Sequence, residues 1–567
     1  MIFNGYNKIR LGMAVLLCLC GTVMVRAKVK LPALISDGMI LQRGQTIKVW
    51  GTADAEESIQ VRFTKDAFPT SIINKKLKNI YTTTADSDGQ WSLTLPAMKA
   101  GGPYSILIND IEIRNILVGD VWLCSGQSNM ELPISRVTDM FADEIAGYNN
   151  EKIRHIIIPK VYNFRAPQED MPQTSWKTLT QDNVMEFSAL AYFFAKAIYE
   201  KTNIPIGIIN ASWGGTPVEA WISEEGLKQF PLYINDKRQY EDDCYRTHIK
   251  QVENERFRHW NESLYRGDAG LHEATPWYSG NYDDNTWQEV DMFSTDWGNN
   301  GLNPIGGSHW FRQNVTITDI MPGSDATLRL GCIVDADSVY VNGVFIGNTS
   351  YQYPPRIYRI PAGVLRTGIN NITVRLISNG GQPNFVKEKP YKIIYQAQAA
   401  AQVKEFNLKP TWKYRQGAPM PNAPEMMFFC YKPVGLYNAM IAPLKNYGIC
   451  GILWYQGESN VSRRNEYAAL LSAMINDWRR TFNSEKLPFY IVELADFLAK
   501  DDIEGRKAWA EMRHEQARAN QMNANTHLIK NSDLGEWNDI HPLDKKTLGR
   551  RAAETALEHN KKVEQQQ

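Results

Sequence analysis

The chain has 567 residues, 43% hydrophobic and 22% charged, with Lys plus Arg balancing Asp plus Glu at 62 each. That length exceeds what one hydrophobic core supports, so more than one domain is expected. The balanced charge argues against a nucleic-acid or anionic-membrane partner, and the composition argues against a disordered chain.

The first 27 residues read as a secretory signal. Lys8 and Arg10 precede an apolar stretch from Leu11 to Val25, and Ala27 ends a stretch suited to cleavage. Export to the periplasm or the extracellular space is therefore expected, with no membrane span after cleavage. A retained anchor, or lipid attachment at Cys18 or Cys20, is the alternative. Beyond the signal, Cys124, Cys244, Cys332, Cys430 and Cys450 are scattered and odd in number. They show neither a disulfide framework nor zinc spacing, although one bridge remains open to an exported protein.

Residues 28–115 read as a small β domain of short alternating runs such as "SIQVRF" and "GQWSLTLPAM". From 116 the texture becomes α/β. "NILVGDVWLCSG" predicts a buried strand, "FSALAYFFAKAIYEKT" (187–202) a helix, and "IPIGIINASWGG" (204–215) a second buried strand. This first α/β part is taken as 116–240. Residues 241–400 are rich in Trp, Asn, Asp and Gly and alternate at period two, with "VNGV" (341–344) as a hairpin signal. They predict an inserted all-β sandwich or jelly roll. Residues 401–567 return to α/β, with a strand in "YGICGILWYQGESN" (447–460), a helix over 466–482, a strand over 487–494 and a closing helix over 541–559. The expected fold class is thus α/β with a parallel sheet, an N-terminal β domain and an inserted β module.

Four loops at predicted strand ends carry polar residues suited to hydrolysis. Ser128, in "CSGQSNM", stands where a strand gives way to a helix, and unpaired N–H groups there favour developing negative charge. It is a candidate nucleophile. Equally, Ser128 with Glu131 forms a Ser-x-x-Glu capping box with a purely structural role. Ser212 is a rival nucleophile, but its loop "SWGG" reads better as an oxyanion donor through the Gly215 amide, or simply as a tight turn. In "WYQGESN", Gln456 could donate its amide to an oxyanion, and Glu458 could orient a histidine or cap the next helix. His541 follows Asp539 at a spacing of two in "NDIHP", which lets the carboxylate reach the imidazole in an extended segment. Asp539 could instead cap the final helix. His514 is a rival base within a helical pattern. Ligands and catalytic groups gather at the carboxyl ends of parallel strands, where all of these loops fall.

The blocks "GQSNM", "WYQGESN" and "DIHP" resemble those of the sialate O-acetylesterase family, among the SGNH (GDSL-like) carbohydrate hydrolases related to bacterial acetylxylan esterases. The start "LPALISDGMILQRG" and the β insert resemble the N-terminal domain and the sugar-binding-type jelly roll of its longer members. The resemblance implies Ser128 as nucleophile, His541 as general base and Asp539 as its acid. It places the Gly215 amide and Gln456 at the oxyanion, with Gln127, Asn129 and Glu458 as further oxyanion or substrate contacts. SGNH enzymes at large carry Asp three residues before the His, where this chain has Asn538, so Glu458 stays open as the acid. The implied reaction is deacetylation of an O-acetylated sialic acid, or of xylan or another glycan, with no metal or organic cofactor. A carbohydrate-binding protein without catalysis is the alternative from another class.

Overall fold

The computed structural model describes residues 29–65, 80–294, 297, 306–398 and 402–566. The expected signal over 1–27 lies outside the described residues. None of the described helices is long and apolar enough to cross a membrane.

The organising element is a 16-residue strand, β1 (Ile111–Gly126). Of its first five residues only Ile113 is buried, whereas from Ile116 onward every residue is buried. The change marks a transfer between sheets. The first half pairs antiparallel with Gly101–Ile108 in the N-terminal β domain, and the second half joins a parallel sheet. A strand covered on both faces needs a continuous apolar run rather than alternation, and "ILVGDVWLCSG" supplies one. The expected boundary at 115/116 therefore falls inside one unbroken strand.

The parallel sheet contains β2 (Asn150–Ile157), β3 (Ile206–Ser212), β4 (Gly451–Tyr455), β5 (Phe489–Val492) and β6 (Thr526–Ile529). Its order is β6-β5-β4-β1-β3-β2, closed at one edge by the antiparallel strand Lys177–Leu179. Trp122 on β1 stands opposite Gly451, which places it and Trp454 on opposite faces of the sheet. Trp122 meets Phe194 of the helix Ala189–Thr202, edge to face at 4.9 Å. Trp454 meets Trp478 of the helix Tyr467–Thr481 at 5.6 Å. Helices thus cover both faces. The helix over 189–202 is closed by Ser188, which accepts from the Ala191 N–H, and by left-handed Asn203.

The inserted region departs from its expected all-β character. Asp243–Gly267 forms one 25-residue helix, whose polar, Trp-bearing sequence is easily mistaken for loop and strand. Among the described residues, the β module proper has two main antiparallel sheets, one of six strands and one of four, with a short ladder between Ile333–Val334 and Asn384–Phe385. Phe311, Val339 and Val374 from the first share a core with Leu328, Ile360 and Ile393 from the second. The hairpin at "VNGV" forms as expected, with Val341 paired to Val344 and positive φ at Asn342 and Gly343. Thr411–Met420 also pairs within this module, so its sheet runs past residue 400. All five described cysteines are free.

Candidate active site

β1, β3 and β4 lie side by side, and their carboxyl ends are knitted together. The Gly126 carbonyl accepts from the Trp213 N–H (3.1 Å), and the Tyr455 carbonyl accepts from the Gln127 N–H (3.0 Å). Gly126 takes φ +139°, and a Cβ there would meet the Tyr455 oxygen at 2.0 Å. Only glycine lets β1 end this close to its neighbour.

The next four residues, Ser128–Glu131, form a single helical turn. Gln127, not Ser128, is its N-cap, and it makes no side-chain cap bond. The capping-box alternative for Ser128 therefore does not form. Glu131 turns outward instead, pairing with Lys160 and accepting from the Gly214 N–H at 2.6 Å. Ser128 is partly exposed between the buried Gln127 and Asn129. It lines a cavity of about 740 Å³.

His541 lines the same cavity while remaining only 5% exposed. Its Nδ1 stands 3.8 Å from Asp539 Oδ1, and no hydrogen bond reaches it. The same Asp539 oxygen accepts from the His541 backbone N–H at 2.9 Å. Burial, aided by the cations Lys545 and Arg136, lowers the imidazole from its ordinary value to about 3. The ring is thus neutral at neutral pH.

Gly215 also lines the cavity, in left-handed backbone at φ +76°. A Cβ there would come within 2.2 Å of the Tyr431 hydroxyl. The Ser128 and Gly215 N–H groups make no backbone hydrogen bond within the described residues, whereas the Gly214 N–H is held by Glu131.

Three other candidates have structural roles. Gln456 is fully buried and outside the cavity lining. Its amide donates to Asn460 Oδ1 (2.7 Å) and the Thr216 carbonyl (3.3 Å), so it is not aimed at an oxyanion. Ser212 donates to Asn210 Oδ1 at 2.6 Å and is likewise buried. Asn129 donates to Glu458 Oε1 (2.6 Å) and to the Ile540 carbonyl (2.9 Å), and accepts from Lys545 Nζ (2.7 Å). It ties the serine, glutamate and histidine loops together beneath the cavity. Gln127 does line the cavity, and its side-chain oxygen accepts from the Ser459 N–H at 3.2 Å. His514 is exposed on the helix Ile503–Met522.

Glu458 lines the cavity with one oxygen held by Asn129 and the other buried without a partner. Burial raises its carboxyl above the ordinary range, against the opposing pull of Asn129 and Lys545. Lys545 is 1% exposed, and burial lowers its ammonium to about 8.

Sequence reasoning missed the residues that the β module contributes. Tyr351, Gln352 and Tyr353 form one wall of the cavity. The Tyr353 ring meets His541 edge to face at 5.0 Å, and the Tyr353 carbonyl accepts from Arg136 Nη2 at 3.0 Å. Lys389 pairs with Asp539 Oδ2 (3.1 Å) and Glu536 (2.9 Å). These contacts join positions far apart in the chain, and no local pattern announces them.

By fold, the chain is a mixed α/β protein with a parallel-containing central sheet and additional β sheets, an architecture consistent with carbohydrate esterases. The family model described as carbohydrate esterase, sialic acid-specific acetylesterase matches residues 118–293 and 425–558, more than half of the chain, and the protein belongs to that family. It is similar to the sialate O-acetylesterase of Homo sapiens, 30% identical over 214 residues covering 34% of this chain and 39% of that protein. The Rattus norvegicus protein of the same name is 28% identical over 210 residues, covering 34% of this chain and 37% of the relative. The alignments therefore span less than half the length of these relatives. Among solved structures, a carbohydrate acetylesterase from Xanthomonas citri shares the fold, with TM-score 0.53 and 24% identity over 94% of this chain and 75% of that one.

Proposed function

We propose that the protein is an exported serine esterase that removes O-acetyl groups from carbohydrates, with O-acetylated sialic acid as its first substrate. The observation that carries this reading is the shared cavity of Ser128 and His541, with the Gly215 amide on its wall. Ser128 Oγ attacks the acetyl carbonyl while His541 takes the hydroxyl proton, and the Ser128 and Gly215 N–H groups receive the charge that develops on the carbonyl oxygen. Collapse breaks the ester bond, His541 returns the proton to the departing sugar oxygen, and acetyl remains on Ser128. His541 then takes a proton from water, whose oxygen attacks the acyl group, and acetate leaves as Ser128 recovers its proton. Asp539, facing Nδ1, steadies the imidazolium that forms in each half.

The preference for sialic acid is supported by the charge on the cavity wall. Lys160 is paired with Glu131, whereas Arg136 lines the cavity without an acidic partner among the described residues. An unpaired guanidinium suits a sugar bearing a carboxylate. Acetate release measured side by side on O-acetylated sialic acid and acetylated xylan tests the assignment. Release from the first substrate with little from the second is expected. Preferential release from xylan would move the assignment to a neutral glycan, and release from neither would remove the esterase reading.

A further inference from the structure

The catalytic cavity does not end at the reacting serine. Gly215, Phe428, Tyr431 and Ser459 line both it and a second depression of about 570 Å³. The boundary between the two is a ridge made by Phe428 and Tyr431, stacked with centroids 5.1 Å apart and planes 30° apart. Phe428 is 55% exposed, and Tyr431, whose hydroxyl lies over Gly215, is 36% exposed. Large aromatic faces left this open beside a reactive centre are unusual for side chains whose only task is packing.

The second depression combines apolar faces with polar groups at its edge. Tyr233 and Met426 supply carbon surface. Arg463 donates to the Tyr233 hydroxyl at 2.7 Å and pairs with the buried Glu219, which fixes the Tyr233 ring in place. Asp236 accepts from Gln239 through one oxygen at 2.9 Å and also lines the depression. Preformed rings with a few convergent polar groups suit a pyranose, which presents one apolar face and a rim of hydroxyls.

We infer that this depression is a subsite for the sugar adjoining the acetylated unit, so that the substrate is an acetylated residue within an oligosaccharide chain rather than a free monosaccharide. The chain crosses the Phe428–Tyr431 ridge, with the acetylated ring on the Ser128 side and its neighbour against Tyr233. This inference rests on the esterase reading above and adds the size of the substrate to it.

The test compares acetate release from an acetylated monosaccharide with release from a trisaccharide carrying the same acetylated unit. In the unaltered protein, kcat/KM should favour the trisaccharide on the order of ten-fold, the scale of one added aromatic contact, with most of the difference in KM. Phe428→Ala should reduce that preference to about two-fold or less, and because Phe428 is more than half exposed the fold is not at risk. Equal kcat/KM on the two substrates, or a preference that survives in Phe428→Ala, would overturn the subsite while leaving the esterase reading standing. Absence of acetate from both substrates would overturn the two together.

Discussion

Asp539 faces His541 with one oxygen and Lys389 with the other. The first oxygen is 3.8 Å from the imidazole Nδ1 and the second is 3.1 Å from the lysine ammonium. The carboxylate nearest the candidate base is therefore shared between the α/β domain and the β module. Glu458, the competing acid, is held by Asn129 instead, and its carboxyl is pushed toward the neutral form by burial. The geometry favours Asp539. Asp539→Asn should lower kcat by about 10²- to 10⁴-fold, whereas Glu458→Gln should lower it less than about ten-fold. The reverse order, read from steady-state kinetics on one acetylated substrate, would reassign the acid.

Ser128→Ala should abolish turnover by at least about 10³-fold with an unchanged melting temperature, because Ser128 is neither the cap of its helix nor part of the core. Retained turnover would exclude Ser128 as the nucleophile. A burst of product matching the enzyme concentration, seen with an activated acetyl ester and lost in the variant, checks the covalent step independently.

Much of this site was legible in the sequence because each element ends in a local pattern. The apolar runs before Ser128, Gly215 and Glu458 predict buried parallel strands, and the structure sets those three strands side by side. The loops at their ends consequently meet. Gln456 reads wrongly for the same local reason. It is the first residue beyond β4, and only the packing of Tyr467 and Asn460 turns its amide inward. Arg136, Tyr353 and Lys389 were illegible because their meaning arises between distant segments. Lys545 was hidden in "DKK", which locally resembles an ordinary solvated helix start.

Gly215→Ala should weaken catalysis and stability together. Its left-handed φ disfavours any side chain, at a cost of about 1–3 kcal/mol, and the added Cβ collides with the Tyr431 hydroxyl. Losing one oxyanion donor typically lowers kcat about 10²- to 10³-fold. The double variant Gly215→Ala, Tyr431→Phe should recover part of the stability and little of the activity. Full recovery of kcat would show that the amide is not a donor.

The pH dependence should be displaced to the acid side. With His541 lowered to about 3, its protonation cannot limit the free enzyme near the ordinary 6.5. The acid limb of kcat/KM should therefore lie well below pH 6.5. The same group acts on stability. Between about 3 and 6.5 the unfolded chain binds a proton that the folded chain does not, so its contribution to stability rises with pH across that window. An acid limb centred near 6.5 would contradict the buried, neutral imidazole.

At the alkaline end, Lys545 loses its proton near about 8 and with it the charge beside Glu458. An alkaline decline in kcat near that pH should be present in the native protein and absent in Lys545→Met, whose plateau should fall about ten-fold as Asn129 loses its anchor. An unchanged profile in the variant would confine Lys545 to a packing role.

β1 carries a consequence for any attempt to shorten the protein. Removing the N-terminal β domain would strip Gly101–Ile108 from the first half of that strand. Ile116 and Val118 would then lie along an uncovered edge, with backbone donors and acceptors open to other molecules. A trimmed protein beginning near residue 116 would retain Ser128 and His541, yet it would carry an aggregation template in the strand that leads to Ser128. The N-terminal sheet is thus a chaperoning edge cover, built into the chain, for the α/β half.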